Sequence, residues 1–115
     1  MRILSILKRA YPEKEDTLVL PACQVYFSQA LITKGKLEIQ LTAKEYSILK
    51  VLYDNKNRIV TFDQLLEKVW GLQYQGYDNT LMAHIRKIRQ KIEANPSKPE
   101  SLITVKGLGY KLKVN

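Results

Sequence analysis

From Leu81 to Ile92 the chain reads Leu-Met-Ala-His-Ile-Arg-Lys-Ile-Arg-Gln-Lys-Ile, and every polar side chain in that run can donate a hydrogen bond. Wound as a helix at 100° per residue, Leu81, Ile85, Ile88 and Ile92 fall within about 60° of one another and make an apolar stripe. The opposite side carries Asn79, Ala83, Arg86, Lys87 and Gln90, with Met82, His84, Arg89 and Lys91 on the flanks. Arg or Lys can donate to guanine O6 and N7, Gln or Asn can pair with adenine, and Met or Ala can meet a thymine methyl. The small Ala83 lets such a surface approach closely, and the flanking cations would hold phosphates. A helix with a dry back and this front suits the major groove of a duplex; an ordinary amphipathic surface helix is the alternative. His84 keeps two readings, a phosphate donor or a satisfied surface residue.

The charge balance points the same way. The 115 residues hold 19 Lys plus Arg against 11 Asp plus Glu, a formal net charge of +8 at pH 7. Residues 81–115 contain Arg86, Lys87, Arg89, Lys91, Lys98, Lys106, Lys111 and Lys113 against only Glu93 and Glu100, so six of the eight net charges lie there. Such concentration predicts a polyanionic partner, nucleic acid or an anionic membrane surface. The length suits one domain with a modest core. A hydrophobic share of 45% with only 5 Gly and 4 Pro excludes collagen-like and disordered classes.

Other chemistry finds little support. Cys23 is the single cysteine, so neither an internal disulfide nor a zinc spacing is available, and a reducing, cytoplasmic setting is expected. His84 has no second histidine, so no metal is expected. Ser47 and Ser101 have no indicated His/Asp partners, and Gly107-Leu108-Gly109 lacks the third glycine and following helix of a dinucleotide fingerprint. Neither catalysis nor a cofactor is expected. No stretch approaches the roughly 18 apolar residues needed to span a bilayer. The opening Met1–Arg9 has an apolar patch broken by Ser5 and ended by two cations, which does not read as a signal peptide.

The elements that must position the donor-rich helix follow from turn and cap signals. Residues 1–10 read as a short amphipathic helix, and 11–16 as a charged linker; together they fit either the tail of a preceding domain or a frayed extension. Leu18–Leu20, Gln24–Phe27, Ala30–Thr33 and Lys36–Leu41 predict a four-stranded antiparallel sheet, with Leu37, Ile39 and Leu41 on its buried face. Thr42-Ala43-Lys44-Glu45 has capping-box spacing and should open a helix whose apolar face is Tyr46, Leu49, Val51, Leu52 and Tyr53. Arg58–Val60 reads as a short extended piece. Thr61-Phe62-Asp63-Gln64 repeats the box for a second helix packed through Leu65, Leu66, Val69 and Trp70 and ended by Gly71. A loop follows to Tyr77, then Asp78 caps a third helix to about Asn95, stopped by Pro96. Leu102–Lys106 and Tyr110–Val114 flank Gly107-Leu108-Gly109 as a hairpin. The fold class is α+β: a winged helix-turn-helix with an N-terminal four-stranded antiparallel sheet, three helices and a C-terminal β-hairpin wing.

Four ordered stretches carry a resemblance: Leu41–Tyr46, Val69-Trp70-Gly71, Leu81–Ile92 and Ile103–Tyr110. Over residues 17–115 the chain resembles the winged-helix effector domain of OmpR/PhoB-type response regulators of bacterial two-component systems. The resemblance implies a sequence-specific, double-stranded-DNA-binding domain with a recognition helix at about 78–95 in the major groove and a wing at 103–114 in the minor groove. Its base-reading positions fall on Met82, Ala83, Arg86 and Lys87. Its phosphate contacts fall on Trp70, Asn79, His84, Arg89, Thr104 and Tyr110, and the wing residue reaching the minor groove is Lys106. The loop containing Leu72, Gln73, Tyr74, Gln75 and Tyr77 matches the segment that can touch RNA polymerase. Residues 1–16 would then be the tail of a receiver domain that this chain lacks, and the sensor kinase would act only through that receiver. The resemblance further implies a monomer off DNA and head-to-tail pairing on direct-repeat half-sites. The family often has Arg at Asn79, Asp at Met82 and Arg at Lys106, so its target sequence does not transfer; Lys keeps the charge at 106 without the planar fork of Arg.

Two other classes compete. One is a stand-alone winged-helix module binding RNA or protein; loop or single-stranded RNA would call for exposed aromatics on a sheet, whereas the tyrosines here are dispersed. A peripheral membrane module needs an exposed apolar helix face, and the third helix's apolar stripe is required for the core.

Overall fold

The computed structural model describes residues 17–71 and 78–114, with Asp78 and Asn79 described by backbone only. The expected N-terminal helix and linker, and loop residues 72–77, lie outside the described residues. Strands β1 (Thr17–Val19), β2 (Gln24–Tyr26), β3 (Leu31–Lys34) and β4 (Leu37–Gln40) form the antiparallel sheet in sequence order. Register places Leu18 opposite Val25, Val25 opposite Ile32 and Ile32 opposite Ile39. The first three of these side chains are fully buried, a row that faces the helices. Leu37 departs from expectation: it is 63% exposed. Alternation assigns it the face of Ile39 and Leu41, but burial on that face deepens only toward Leu41, while Leu37 sits at the hairpin tip opposite Lys34.

Helix α1 (Ala43–Asp54) begins with the expected box. The Glu45 N–H donates to Thr42 Oγ1 at 3.3 Å and the Thr42 N–H to Glu45 Oε1 at 2.9 Å. Its central core residue is Ile48, buried with Leu49 and Leu52 and absent from the expected face; Tyr46, Val51 and Tyr53 are only partly buried. Tyr46 and Tyr53 close over Phe27 with ring centroids 5.9 and 4.9 Å away. Helix α2 (Phe62–Trp70) also has its box, with Gln64 in the third position, and buries Leu65 and Leu66. Each fully buried Leu or Ile contributes about 1.5–3 kcal/mol of transfer free energy, so this shared core holds the sheet and the helices together.

The extended piece between the helices has a larger role than its length suggested. Strand β5 (Ile59–Thr61) pairs with β7 (Gly109–Leu112), which pairs with β6 (Leu102–Val105), making a three-stranded sheet in the order β5-β7-β6. The wing is therefore a hairpin with a third strand at its root. Its two glycines differ. Gly107 makes the turn at φ +77°, which favours glycine. Gly109 is buried in β7, where a Cβ would collide with the Val60 carbonyl oxygen and lie 2.7 Å from Thr61 Cα. Read as a turn residue, Gly109 is in fact the close-approach point between β7 and β5.

Helix α3 (Asp78–Ile92) stops three residues before the expected Asn95. The stripe Leu81, Ile85, Ile88 and Ile92 is at most 1% exposed. Cys23 lies in the same core, where burial pushes its thiol up to about 11, Lys34 opposing and Glu93 adding, so it stays protonated and inert at neutral pH. Among the described residues no helix is long and apolar enough to cross a membrane.

Candidate nucleic-acid interface

With its stripe buried, α3 turns the opposite side outward. Met82 is 59% exposed, and Ala83, Arg86, Lys87 and Gln90 are exposed beside it. Arg86 and Lys87 make no side-chain hydrogen bond or ion pair among the described residues. The four positions expected to read bases, Met82, Ala83, Arg86 and Lys87, thus form one open face. Asn79 lies in the first turn of the same helix.

The two flanks dock on different partners. On one, His84 Nδ1 lies 2.7 Å from the Thr80 carbonyl, and its ring meets Trp70 edge-on with centroids 5.5 Å apart. Lys91, on the same flank, does not face outward. Its ammonium donates to Glu45 Oε1 at 2.5 Å and to the Gln40 carbonyl at 2.9 Å, and the Glu45 side chain is only 2% exposed. Burial opposes ionisation of Glu45, yet the Lys91 and Thr42 hydrogen bonds and the Lys91 charge outweigh it and hold the carboxyl below its ordinary value. The expectation that Lys91 serves as a flanking phosphate cation is corrected: it ties α3 to α1.

On the other flank, Arg89 reaches the wing. Its Nε donates to the Leu102 carbonyl at 3.0 Å, and Nη2 donates to the same carbonyl at 2.9 Å and to Thr104 Oγ1 at 2.7 Å. The guanidinium also stands over the Tyr110 ring at 6.0 Å. Tyr110 is 4% exposed and packs edge-on against Phe62; burial pushes its phenol up, Arg89 opposing, so it stays a neutral hydroxyl able to donate. Three expected phosphate contacts, Arg89, Thr104 and Tyr110, thus form one cluster between helix and wing. Lys106 is exposed beside Gly107 at the wing tip, and Leu108 is half-exposed. The turn is closed by the Leu108 N–H donating to the Val105 carbonyl, and it is tied to α2 by the Phe62 N–H donating to the Leu108 carbonyl.

Three contributors were not singled out in the sequence. Glu93, one of only two acids in the basic third, is 2% exposed and accepts from the N–H groups of Glu100, Ser101 and Leu102 at 2.8–3.3 Å, hanging β6 from the end of α3. Lys34 donates to the Glu93 carbonyl at 2.7 Å and to that of Gln90 at 3.4 Å, satisfying the last turn of α3 from the other sheet. Lys44, read only as part of a cap, lies beside Trp70. An acid isolated among cations was the available signal for Glu93; nothing local marks Lys34. Leu72, Gln73, Tyr74, Gln75 and Tyr77, expected to contact RNA polymerase, lie outside the described residues. Among the described residues no group of three or more His, Cys, Asp or Glu could hold a metal ion.

Comparison with known proteins agrees with this geometry. Residues 36–112 match the family model described as transcriptional regulatory protein, C terminal. The transcriptional regulatory protein YvrH of Bacillus subtilis is 39% identical over 114 residues, covering 96% of this chain and 48% of the relative. The response regulator DrrB of Thermotoga maritima, an OmpR/PhoB homologue, superposes with a TM-score of 0.74 at 26% identity over 88% of this chain and 46% of DrrB. The DNA-binding domain of Klebsiella pneumoniae RstA, solved in complex with the RstA box, shares the fold with a TM-score of 0.70 at 23% identity over 84% of this chain and 96% of that domain. The chain spans about half the length of the curated relatives it matches. It belongs to the transcriptional regulatory protein C-terminal family, the winged-helix DNA-binding domains of OmpR/PhoB-type response regulators.

Proposed function

We propose that this chain is the sequence-specific, double-stranded-DNA-binding effector domain of a two-component transcriptional regulator. The observation that carries the reading is the open face of α3, where Met82, Ala83, Arg86 and Lys87 stand exposed over a stripe that is fully buried. In the major groove Arg86 and Lys87 donate to guanine edges, and Met82 and Ala83 make apolar contact with thymine methyls. Trp70, Asn79, His84 and the Thr104–Tyr110 edge of the wing contact phosphates, which set register without reading sequence. Arg89 works mainly from behind, holding the wing to the helix, and Lys106 enters the minor groove as a charge rather than a fork. Residues 1–16 connect this domain to a receiver, through which a sensor kinase acts. The segment of Leu72, Gln73, Tyr74, Gln75 and Tyr77 meets RNA polymerase, and two copies sit head-to-tail on direct repeats in the cytoplasm.

Selection from a random duplex pool tests the reading. A recovered motif should bind about 10³-fold or more tighter than unrelated duplex, and affinity should fall steeply with salt. Single-stranded DNA, RNA and anionic vesicles should compete poorly. Equal binding to every duplex, or preference for one of those competitors, would refute it.

A further inference from the structure

Lys44 stands where the second residue of α1 meets the last residue of α2. Its ammonium lies 5.2 Å from the centre of the Trp70 ring and donates to the Val69 carbonyl at 3.2 Å. The residue is exposed, so the charge remains accessible from solvent. On Trp70 the His84 ring rests edge-on at 5.5 Å. An ammonium, an indole and an imidazole from three separate helices thus converge on the flank of α3 opposite the wing. The one lysine that helical spacing gives this flank of α3, Lys91, is turned inward to Glu45 and the Gln40 carbonyl. Lys44, from another helix, fills that place.

We propose that Lys44 is a phosphate anchor of the interface, forming with Trp70 and His84 a site for one backbone phosphate at the edge of the major groove. This rests on the DNA-binding reading above. The ring keeps the ammonium from wandering while leaving its remaining N–H groups to an anion, and the attraction between cation and ring face fixes its place. Lys44 would add a full positive charge to the Trp70 and His84 side of the groove, opposite the contacts made by the wing. Capping of α2 through the Val69 carbonyl is the competing role, and it would need no DNA.

The two are separable with the whole chain and a duplex that it has selected from a random pool. Lys44→Gln should bind that duplex about 3- to 10-fold more weakly, and the slope of log affinity on log salt should become shallower by roughly 0.9, the value for one phosphate contact. Lys44→Arg should restore both. Replacing single phosphates by neutral methylphosphonates should then find one position that weakens the wild-type chain more than it weakens Lys44→Gln. An unchanged salt slope for Lys44→Gln, whether affinity is kept or is lost along with a lowered melting temperature, would overturn the anchor while Arg86→Ala still shows that the duplex is bound. Failure of the wild-type chain to select any duplex would overturn the DNA-binding reading and this proposal with it.

Discussion

Within one helix, Arg86 and Lys87 stand beside Arg89 and Lys91, yet the two pairs have opposite surroundings. The first pair is exposed and makes no side-chain hydrogen bond or ion pair among the described residues. The second is committed to the protein, Arg89 to Leu102 and Thr104, Lys91 to Glu45 and Gln40. Position around the helix decides this, because the front looks at solvent while each flank looks at a neighbouring element. Counting cations therefore overstates the charge offered to a polyanion. The comparison also shows why the end of α3 is the more constrained half: it carries the joints to α1, to the wing and, through Lys34, to the first sheet.

The sharpest contrast comes from Glu93, which belongs to the committed end although it is acidic. Glu93→Ala strands the buried N–H groups of Ser101 and Leu102 and frees the part-buried one of Glu100, and it should cost about 3–5 kcal/mol of folding stability, read by denaturant unfolding. Next is Lys91→Ala, which leaves the Glu45 carboxylate buried without its counter-charge. A loss of about 2–4 kcal/mol is expected, with the salt slope of duplex binding unchanged; a shallower slope would mean that Lys91 faces DNA after all. The same pair predicts acid sensitivity. The carboxyl of Glu45 is held below its ordinary value in the folded chain, so its contribution is present at neutral pH and is lost as pH falls through and below the ordinary carboxylate range. Unfolding curves of wild type and Lys91→Ala against pH should converge toward the acid end.

Arg89→Ala should fall between the two classes. It removes three hydrogen bonds at the wing root, costing about 1–3 kcal/mol of stability, and should reduce protection of the minor groove in a footprint more than protection of the major groove. Smallest in stability are Arg86→Ala and Lys87→Ala, expected within about 0.5 kcal/mol of wild type. In binding they should cost about 1–3 kcal/mol on the selected duplex and relax discrimination at particular base pairs. Equal losses on every sequence for these two and for Arg89→Ala would erase the distinction between reading and holding.

Periodicity and caps made much of this legible. The core stripe Leu81, Ile85, Ile88 and Ile92, the boxes at Thr42 and Thr61 and the strand pairings depend on residues close in sequence or on strong alternation. What escaped depends on distance. Glu45 meets Lys91, Lys34 meets Glu93 and Ile59–Thr61 meets Lys111–Gly109 across the fold, and no local pattern encodes such meetings. Leu37 failed for a related reason: alternation tells which face a side chain takes, not how far the neighbouring layer extends over it. The outward face of α3 was legible because a helix's two sides are fixed together; once the stripe is buried, Arg86 and Lys87 have nowhere else to point.

The pairing of β5 with β7 has one more consequence. Because β5 is the link between α1 and α2, the wing shares a backbone ladder with the helical body, and Arg89 braces it from the other side. The tip at Lys106 and the tip of α3 are then the jaws of a caliper with a set opening. On the DNA-binding reading proposed above, such a tool would measure the distance from one groove to the next as well as the letters within it. Stiff duplexes whose minor groove lies at that spacing would be gripped without bending, and others would have to be deformed at an energetic cost, so the shape of DNA would be selected at base pairs that no side chain touches.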